Sequence, residues 1–190
     1  MKQAFLIACI VMLIVGCNDK TASTNAVISD TPATAVAHAL PPAPKLDYPY
    51  TLEQPYKNWQ PGNQQHAVTV MKGLKAYENG DVDGCMVAFG DSIDLKSDGF
   101  RNKFSNDSLR KFFTKARNNM KSLKVKMGDW ESVISEDKKD EYVTLWYKEI
   151  TVDKKGKTDS LSVVEDFKMV NGKIVELDSK LQHFPVSKKM

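Results

Sequence analysis

The sequence predicts an α+β domain in which helices pack against a mostly antiparallel sheet, and three observations favour this fold class. Apolar residues recur at three- and four-residue spacing on both sides of Gly80-Asp81, which predicts two helices that meet at a turn. A third helical stripe follows Ser105. From Leu123 to Phe184 apolar and polar residues alternate instead, and this period of two is typical of strands.

The first segment of the chain, 1–16, has the features of a secretory signal peptide. Lys2 supplies a positive charge, and the apolar run from Ala4 to Val15 is shorter than the roughly 20 residues that a membrane-spanning helix needs. The run ends in Ile14-Val15-Gly16-Cys17, which resembles the lipobox of bacterial lipoproteins. The resemblance implies a lipid on Cys17 and a protein held at a membrane of the bacterial cell envelope, in the outer membrane or facing the periplasm. The alternative is an ordinary cleaved signal in which the cysteine stands by chance.

Two segments of different composition separate the signal from the folded domain. Residues 17–45 are mostly Thr, Ala, Ser and Pro, which bury too little apolar surface to offset chain entropy, so we expect a disordered tether. Residues 46–62 form an aromatic-rich lead-in, and the domain itself would span 63–184, with 185–190 as a tail. We expect the large side chains of the lead-in to pack on the domain rather than to contact a ligand; they are Tyr48, Tyr50, Leu52, Tyr56 and Trp59.

The composition argues against several classes of protein. The chain has 27 basic and 24 acidic residues, and this even, interspersed balance argues against nucleic-acid binding. The sequence contains no cluster with metal-ligand spacing, no glycine-rich phosphate loop and no nucleophile elbow, so we expect neither a metal nor a cofactor. Cys85 has no intramolecular partner once Cys9 leaves with the signal and Cys17 takes lipid. Its place on an apolar stripe indicates a small buried hydrophobe.

Local signals predict the helices and the first strand. Gly80 can close the first helix in the left-handed conformation, and Asp81 can cap the second. Ser92–Ser97 alternates as a strand that ends at the turn Asp98-Gly99, and Ser105-Asn106-Asp107 offers caps for the third helix. The apolar stripes are Val70, Met71, Leu74 and Tyr77 in the first helix, Val82, Cys85, Met86 and Phe89 in the second, and Leu109, Phe112, Phe113, Ala116 and Met120 in the third.

The strands of the second half can be placed in register. The loop 153–157 joins Tyr142–Val152 to Thr158–Val170, and its length keeps odd-numbered residues opposite odd-numbered ones. The strand that begins at Leu123 is expected to bulge at Gly128-Asp129, which would re-aim Trp130. For the last hairpin we predict a three-residue loop, 171–173, because it keeps the apolar residues on one face. This loop pairs Met169 with Val175, Phe167 with Leu177 and Val163 with Leu181.

This register places a few polar residues on the apolar side of the sheet that faces the helices. Glu165 would lie between Leu145 and Ser179, with Tyr147 diagonal to it. Desolvation raises the pKa of a carboxyl group in such surroundings, which suits acid–base catalysis or recognition of a polar ligand group. The alternative is a structural role, in which Glu165 bonds Ser179, Tyr147 or water and only orders the core. The candidate pocket residues are Tyr147, Glu165, Ser179, Trp130 and, in one row nearer the end of the sheet, Glu149 and His183. For Glu149 and His183, partial exposure at that end favours an ordinary surface pair.

The order helix, Gly-Asp, short helix and strand resembles the nuclear transport factor 2-like (SnoaL-like) domains, as do the motifs Trp-Tyr-Lys-Glu at 146–149 and Val-Val-Glu-Asp at 163–166. The resemblance implies a cone-shaped α+β fold with three N-terminal helices packed on a curved, mostly antiparallel sheet. In small secreted bacterial members, Glu149 and Glu165 have similar counterparts. The tyrosine and aspartate of ketosteroid isomerases would fall on or beside Gly73 and on Lys96 or Ser97. For a site of the scytalone dehydratase kind, only His183 is available on the inward face.

Three functions are consistent with these features. The favoured one is a lipid-anchored, noncatalytic domain that binds a small, partly apolar ligand in the cone. A second is an isomerase or lyase that uses Glu165 as base and Tyr147 as hydrogen-bond donor. A third is an interaction module whose sheet pairs with another copy in a homodimer, through the apolar residues Tyr142, Trp146 and Ile150. The expected partners are therefore a small molecule, a membrane through Cys17 and, for the third function, a second copy, but no nucleic acid.

Overall fold

The computed structural model describes residues 47–183, so the predicted signal peptide, Cys17, the tether and the 185–190 tail lie outside the described residues. No helix in the described part of the chain is long and apolar enough to cross a membrane. The elements follow in the order β1 (Gln60–Pro61), α1 (Gln64–Glu78), α2 (Val82–Met86), β2 (Phe89–Ser97), β3 (Phe100–Ser105), α3 (Asn106–Asn118), β4 (Met120–Ile134), β5 (Glu141–Asp153), β6 (Thr158–Val170) and β7 (Lys173–His183).

The α+β class is confirmed, but the predicted arrangement with three N-terminal helices is wrong. β1 precedes α1, and the hairpin of β2 and β3 lies between α2 and α3. The hairpin closes at Gly99, whose φ of 67° supplies the turn that the sequence predicts. Phe89, which the sequence placed on the second helix, instead opens β2. It pairs with Ile174, whose N–H donates to the carbonyl of Ala88 (2.9 Å). The strand therefore begins at Phe89 rather than at Ser92.

Short-range hydrogen bonds join α1 to α2 as the sequence predicts. Gly80 takes a φ of 86° just past the end of α1. The N–H groups of Gly80 and Asp81 donate to the carbonyls of Tyr77 (3.0 Å) and Ala76 (2.9 Å), a Schellman motif that satisfies two helix-end acceptors. The Asp81 carboxylate then accepts from the N–H of Gly84 (2.8 Å) and caps α2. Similarly, the predicted cap residue Ser105 caps α3, since its hydroxyl oxygen accepts from the N–H of Ser108 (3.2 Å).

The seven strands form one sheet in the order β1-β4-β5-β6-β7-β2-β3, in which only β2 and β7 run parallel. The predicted register of β5 and β6 is confirmed, because Leu145 pairs with Glu165 and Tyr147 with Val163. The predicted bulge in β4 is confirmed as well, since the register to β5 shifts at Gly128. The long antiparallel strands therefore hold odd-numbered residues of β5 and β6 on one face.

The last hairpin differs from the prediction at its tip. Asn171 and Gly172 both have positive φ (50° and 73°), which is a two-residue turn that matches the twist of the strands. Met169 therefore pairs with Ile174 rather than with Val175. A bulge at Val175 then takes up the extra residue, so that the three-residue-loop register is right from there on. Further along, Phe167 pairs with Leu177, Val163 with Leu181 and Glu165 with Ser179, as predicted.

The helices cover the odd-numbered face of the sheet, which confirms the predicted orientation. The core between them contains Ala67 and Val70 of α1, Cys85 and Met86 of α2, Leu109 of α3, and the sheet residues Val143, Leu145, Val163, Phe167, Met169, Ile174 and Leu177. The opposite face is polar and carries ion pairs across the strands. Among them are Lys180 with Asp166 and Lys96 with Glu176, each at 2.7 Å.

The lead-in packs on the domain only at its end, so the expectation for its other side chains is wrong. Trp59 meets the ring of Tyr142 edge-on, with 5.7 Å between the ring centroids. Nearby, the Lys57 ammonium lies 2.7 Å from the Asp140 carboxylate. The earlier large side chains of the lead-in are exposed; they are Tyr48, Tyr50, Leu52 and Tyr56.

Candidate functional site

A cavity of about 370 Å³ lies between the helices and the odd-numbered face of the sheet. This volume falls in the lower part of the range of roughly 300–1,000 Å³ that is usual for small-molecule sites. Most of the wall is aliphatic or aromatic. It consists of Val70, Gly73, Leu74 and Tyr77 of α1, Cys85 of α2, Phe89, Leu95 and Ser97 of β2, Phe100 of β3, Phe112, Phe113 and Ala116 of α3, and Tyr147, Glu149, Glu165, Phe167, Ile174, Leu177 and Ser179 of the sheet.

The structure brings four of the six sequence-predicted pocket residues together and leaves two outside. Tyr147, Glu149, Glu165 and Ser179 line the cavity. His183 is the last described residue of β7 and is exposed. Trp130 pairs with Leu145 on the inward face, but it lies near the outer strand of the sheet and remains 47% exposed. His183 and Trp130 are therefore not cavity residues.

Glu165 occupies the position that the two strand registers predict. The Ser179 hydroxyl donates a hydrogen bond of 2.7 Å to Oε1 of Glu165. Burial raises the pKa of Glu165, while hydrogen bonding from Ser179 and Tyr147 acts in the opposite direction by favouring the charged form. The two roles weighed for this residue thus coexist, since the carboxylate is both structurally bonded and part of the cavity wall.

Glu149 is the second acid of the cavity. Burial is the main cause that raises its pKa, the negative charge of Glu165 adds to it, and Asp159 contributes least, so that the pKa lies at about 7. A carboxyl group with this pKa exchanges its proton near neutral pH, which is the property required of a general acid or base and of a pH-dependent binding group. The sequence had favoured an ordinary surface pair of Glu149 with His183, and the cavity overturns that interpretation.

Three further groups in the wall carry protons that they do not readily lose. Burial raises the pKa of Tyr77 and of Cys85 to about 12 each, and it holds the pKa of Tyr147 well above the usual value of a tyrosine. The three side chains therefore act as donors or apolar surface, not as charged groups, at neutral pH. Cys85 is buried, as predicted, with 4% of its surface exposed.

Sequence reasoning missed Tyr77 and Cys85 as cavity residues because it assigned both to the apolar stripes of their helices. The available signal was the tyrosine hydroxyl itself, since a buried tyrosine needs a polar neighbour. Tyr77 also contacts Phe113 of α3, with 5.4 Å between the ring centroids. These two rings form part of the wall opposite the acids of the sheet.

Within residues 47–183, no group of three or more His, Cys, Asp or Glu side chains is arranged to hold a metal ion. The polar groups of the cavity can donate and accept hydrogen bonds, and its two acids can exchange protons.

The apolar residues proposed for a homodimer lie on the other face of the sheet. Trp146 is 37% exposed there, Trp59 packs on Tyr142, and Ile150 is half-buried. Pairing with a second copy stays a prediction.

Comparison with known proteins identifies fold neighbours only. No protein-family model matches the chain, and the search of the curated proteins found no match. An LEH-like epoxide hydrolase from M. tuberculosis aligns with a TM-score of 0.53 and 16% identity, over 65% of this chain and 82% of that one. AusH from Aspergillus nidulans aligns with a TM-score of 0.52 and 15% identity, over 65% and 87% of the two chains.

A nuclear transport factor 2-like protein of unknown function from Exiguobacterium sp. 255-15 also matches, with a TM-score of 0.49 and 16% identity, over 60% of this chain and 98% of that one. Nuclear transport factor 2-like proteins are thus among the structural neighbours, and the likeness extends to the α+β fold alone. At such low identity the likeness says nothing about ligand or reaction. The lipoprotein type stays a prediction from the sequence.

Proposed function

We propose that this protein binds a small, largely apolar molecule in the cavity without transforming it, while a lipid on Cys17 anchors the chain to a membrane. The cavity carries the binding part of this proposal. Its wall is mostly aliphatic and aromatic, and its polar groups gather on one side around Tyr147, Glu165 and Ser179. This combination of apolar surface with a few convergent polar groups is typical of small-molecule sites.

The identity of two other wall residues favours binding over ketosteroid isomerase chemistry. Gly73 and Ser97 both line the cavity. They stand at or beside the positions to which the sequence resemblance assigns the tyrosine and aspartate of those enzymes. Neither residue supplies a phenol or a carboxylate there, so that reaction lacks its groups.

Substitution inside the cavity tests the binding proposal. Ala116→Trp on α3 fills part of the cavity, whereas Thr114→Trp places the same side chain at an exposed position of that helix. We expect the neutral, apolar dye N-phenyl-1-naphthylamine to bind the wild-type protein and Thr114→Trp alike. Ala116→Trp should weaken binding by at least about tenfold, or about 1.4 kcal/mol. Equal binding by all three proteins would contradict the proposal.

A second candidate function, an acid–base enzyme of the isomerase or lyase type, is favoured by one observation. Glu165, the proposed base, and Tyr147, the proposed donor, interact with each other and both line the cavity. Such an enzyme would exchange the α-protons of a bound ketone with deuterium from the solvent. Exchange that is faster with the wild-type protein than with Glu165→Gln, across a panel of cyclic ketones, would support the enzyme over the binder.

The anchor rests on the lipobox pattern that ends at Cys17. A lipid there, followed by a tether at 17–45, would hold the binding domain near a membrane of the cell envelope. A cavity domain in that place could capture an apolar molecule that partitions between membrane and water.

A further inference from the structure

We propose that the ligand is a protonated primary amine with an apolar body, whose ammonium group binds Glu149 and whose body lies against the phenylalanine rings of the cavity. This inference rests on the proposed function and specifies the class of ligand for the same cavity. It follows from the charges of the wall, from the arrangement of the two acids and from the aromatic surface facing them.

The charged side chains that line the cavity are both acidic. Glu149 and Glu165 line the cavity, and no Lys, Arg or His of the described residues does so. Arg117 is close enough for its charge to act on the Tyr77 hydroxyl, but its guanidinium donates instead to the backbone carbonyls of Tyr77 and Glu78, each at 3.2 Å. No side chain of the wall therefore neutralises the carboxylates, and a cationic ligand would do so.

The two acids stand on either side of Tyr147 in the sheet. Tyr147 pairs with Val163; Glu149 lies two residues further along β5, and Glu165 lies two residues beyond Val163 on β6, which runs the other way. All three side chains face the cavity. The register separates the two acids by four residues along the strands, roughly 13 Å at the usual rise of about 3.3 Å per residue. An ammonium group carries three N–H donors and no acceptor, so it can bond the Glu149 carboxylate without leaving an acceptor of its own unpaired, while Glu165 adds negative charge to the same cavity. A carboxylate ligand in the same place would meet two like charges.

The aromatic part of the wall suits both ends of such a ligand. Phe89, Phe112 and Phe113 line the cavity, and their rings supply apolar surface for the body of the ligand. The faces of aromatic rings also attract cations. Phe112 stacks on Phe100 with 5.9 Å between the centroids, and both rings are partly exposed. The aromatic surface thus continues from the cavity to the outside.

Because Glu149 exchanges its proton near pH 7, the affinity for an amine should depend on pH differently from the affinity for a neutral ligand. The titratable groups that act on Glu149 are Glu165 and Asp159, and it acts in turn on Tyr77 of α1 and Tyr147 of β5. Because the pKa of Glu149 lies at about 7 without ligand, pairing with an ammonium group near pH 7 requires release of its proton. Affinity for an amine should therefore rise from pH 6 to pH 8, while a ligand that accepts a hydrogen bond from the protonated acid should bind less well.

Three probes with one apolar body test the inference on the purified protein by isothermal titration calorimetry. They are 4-phenylbutylamine, which is protonated at neutral pH, 4-phenylbutan-1-ol, which is neutral, and 4-phenylbutyrate, which is an anion. At pH 8 we expect the amine to bind at least about tenfold more tightly than the alcohol, or about 1.4 kcal/mol, and the anion to bind most weakly. Near pH 7, amine binding should release protons, seen as a heat that depends on the ionisation enthalpy of the buffer.

Matched variants distinguish the effect of the cavity acid Glu149 on amine affinity from the effect of the net charge of the protein. Glu149→Gln should weaken binding of the amine by about tenfold and leave the alcohol within about twofold. Asp91→Asn removes the same charge from an exposed position of β2 that does not line the cavity and should change neither affinity. A Glu149→Gln variant that keeps full affinity for the amine would overturn the assignment of its ammonium site.

The outcomes also distinguish this inference from the proposed function. Binding of the alcohol as tight as that of the amine, abolished by Ala116→Trp, would overturn the amine inference and leave the binding proposal intact. Failure of the amine to bind, while N-phenyl-1-naphthylamine binds in the cavity, would have the same meaning. If neither the dye nor any of the three probes binds, both proposals are wrong.

Discussion

The hydroxyl of Ser179 on β7 donates a 2.7 Å hydrogen bond to Oε1 of Glu165 on the neighbouring strand β6. The two residues are directly opposite each other in the sheet. This bond stabilises the ionised carboxylate, and burial of the same group opposes ionisation. The stability of the domain should therefore depend on both residues, in opposite directions.

Glu165→Gln tests the balance between the cost of burying the carboxylate and the stabilisation by its hydrogen bonds. The pKa of Glu165 is raised in the folded protein, so the folded state binds its proton more tightly than the unfolded chain does. Stability is then greatest below the unfolded value of about 4.3 and falls as pH rises through the folded value. We expect Glu165→Gln to stabilise the domain at pH 8 and to lose this advantage at pH 4, measured by urea unfolding.

Ser179→Ala is the companion variant for the same pair. It leaves Glu165 buried without its donor and should destabilise the domain at pH 8 by about 1–2 kcal/mol. At pH 4, where the carboxyl is protonated, the loss should be smaller. If Glu165→Gln destabilises the domain at pH 8 as much as Ser179→Ala does, the carboxylate is held mainly by its hydrogen bonds and burial is not the dominant effect.

Glu149 should make the domain less stable as the solution becomes neutral. Its pKa of about 7 exceeds the value of about 4.3 for a free glutamate, so the folded state loses stability between these two values. Glu149→Gln should flatten this part of the pH profile by up to about 3 kcal/mol, which is an upper limit because the side chain is only partly buried. Carbon-13 NMR titration of the side-chain carboxyl measures the pKa directly. Asp159→Asn is the control and should lower that pKa slightly.

Trp59 and Tyr56 should differ in their contribution to stability although both belong to the lead-in. Trp59 packs edge-on against Tyr142, whereas Tyr56 is 72% exposed. Trp59→Ala should cost about 1–2 kcal/mol of unfolding free energy through lost aromatic packing. Tyr56→Ala should change it by no more than about 0.5 kcal/mol. Thermal unfolding of the two variants decides this, and equal melting temperatures would mean that the Trp59 contact contributes nothing.

Gly172 should be hard to replace because of its backbone conformation. Its φ of 73° belongs to the left-handed region, so Gly172→Ala should cost about 1 kcal/mol. Gly90→Ala is the matched control. An added Cβ at Gly90 would have its nearest neighbour, the carbonyl oxygen of Ile174, at an ordinary distance of 3.5 Å, and φ is not positive there. Urea unfolding that shows no difference between the two variants would contradict the turn described for the last hairpin.

Cys17→Ser tests the proposed anchor. The variant should lack the lipid, which is visible as a lower mass, and should leave the membrane fraction of bacteria that express it. The wild-type protein, fractionated in parallel, is the control. A variant that remains in the membrane fraction with the same mass as the wild type would rule out the lipobox interpretation.

The sequence predicted the rows of the sheet better than it predicted the cavity. Alternation and loop length were enough to place Glu165 between Leu145 and Ser179, because a strand repeats every two residues and one buried face fixes the register. The hairpin tip was placed wrongly because a bulge at Val175 can restore a register that the turn alone would not give.

The residues that line the cavity could be predicted only in part, because the cavity is space left between elements rather than a property of any one of them. Tyr77 and Cys85 follow a helical stripe like any core residue, and only the distance between helix and sheet decides whether such residues touch or leave a gap. His183 and Glu149 share a row, yet only Glu149 lines the cavity. Register alone does not contain this difference.

The parallel pairing of β2 with β7 has a consequence for the biosynthesis of the protein. Leu95 on β2 and Leu177 on β7 are partners in the sheet although most of the domain lies between them in the chain. Closing so long a loop is slow compared with forming a local hairpin. Until the ribosome has released β7, the apolar surfaces of β2 and α1 have no complete sheet to cover them. The domain can therefore complete its sheet only after β7 has been synthesised, so folding of the whole domain follows translation rather than accompanying it.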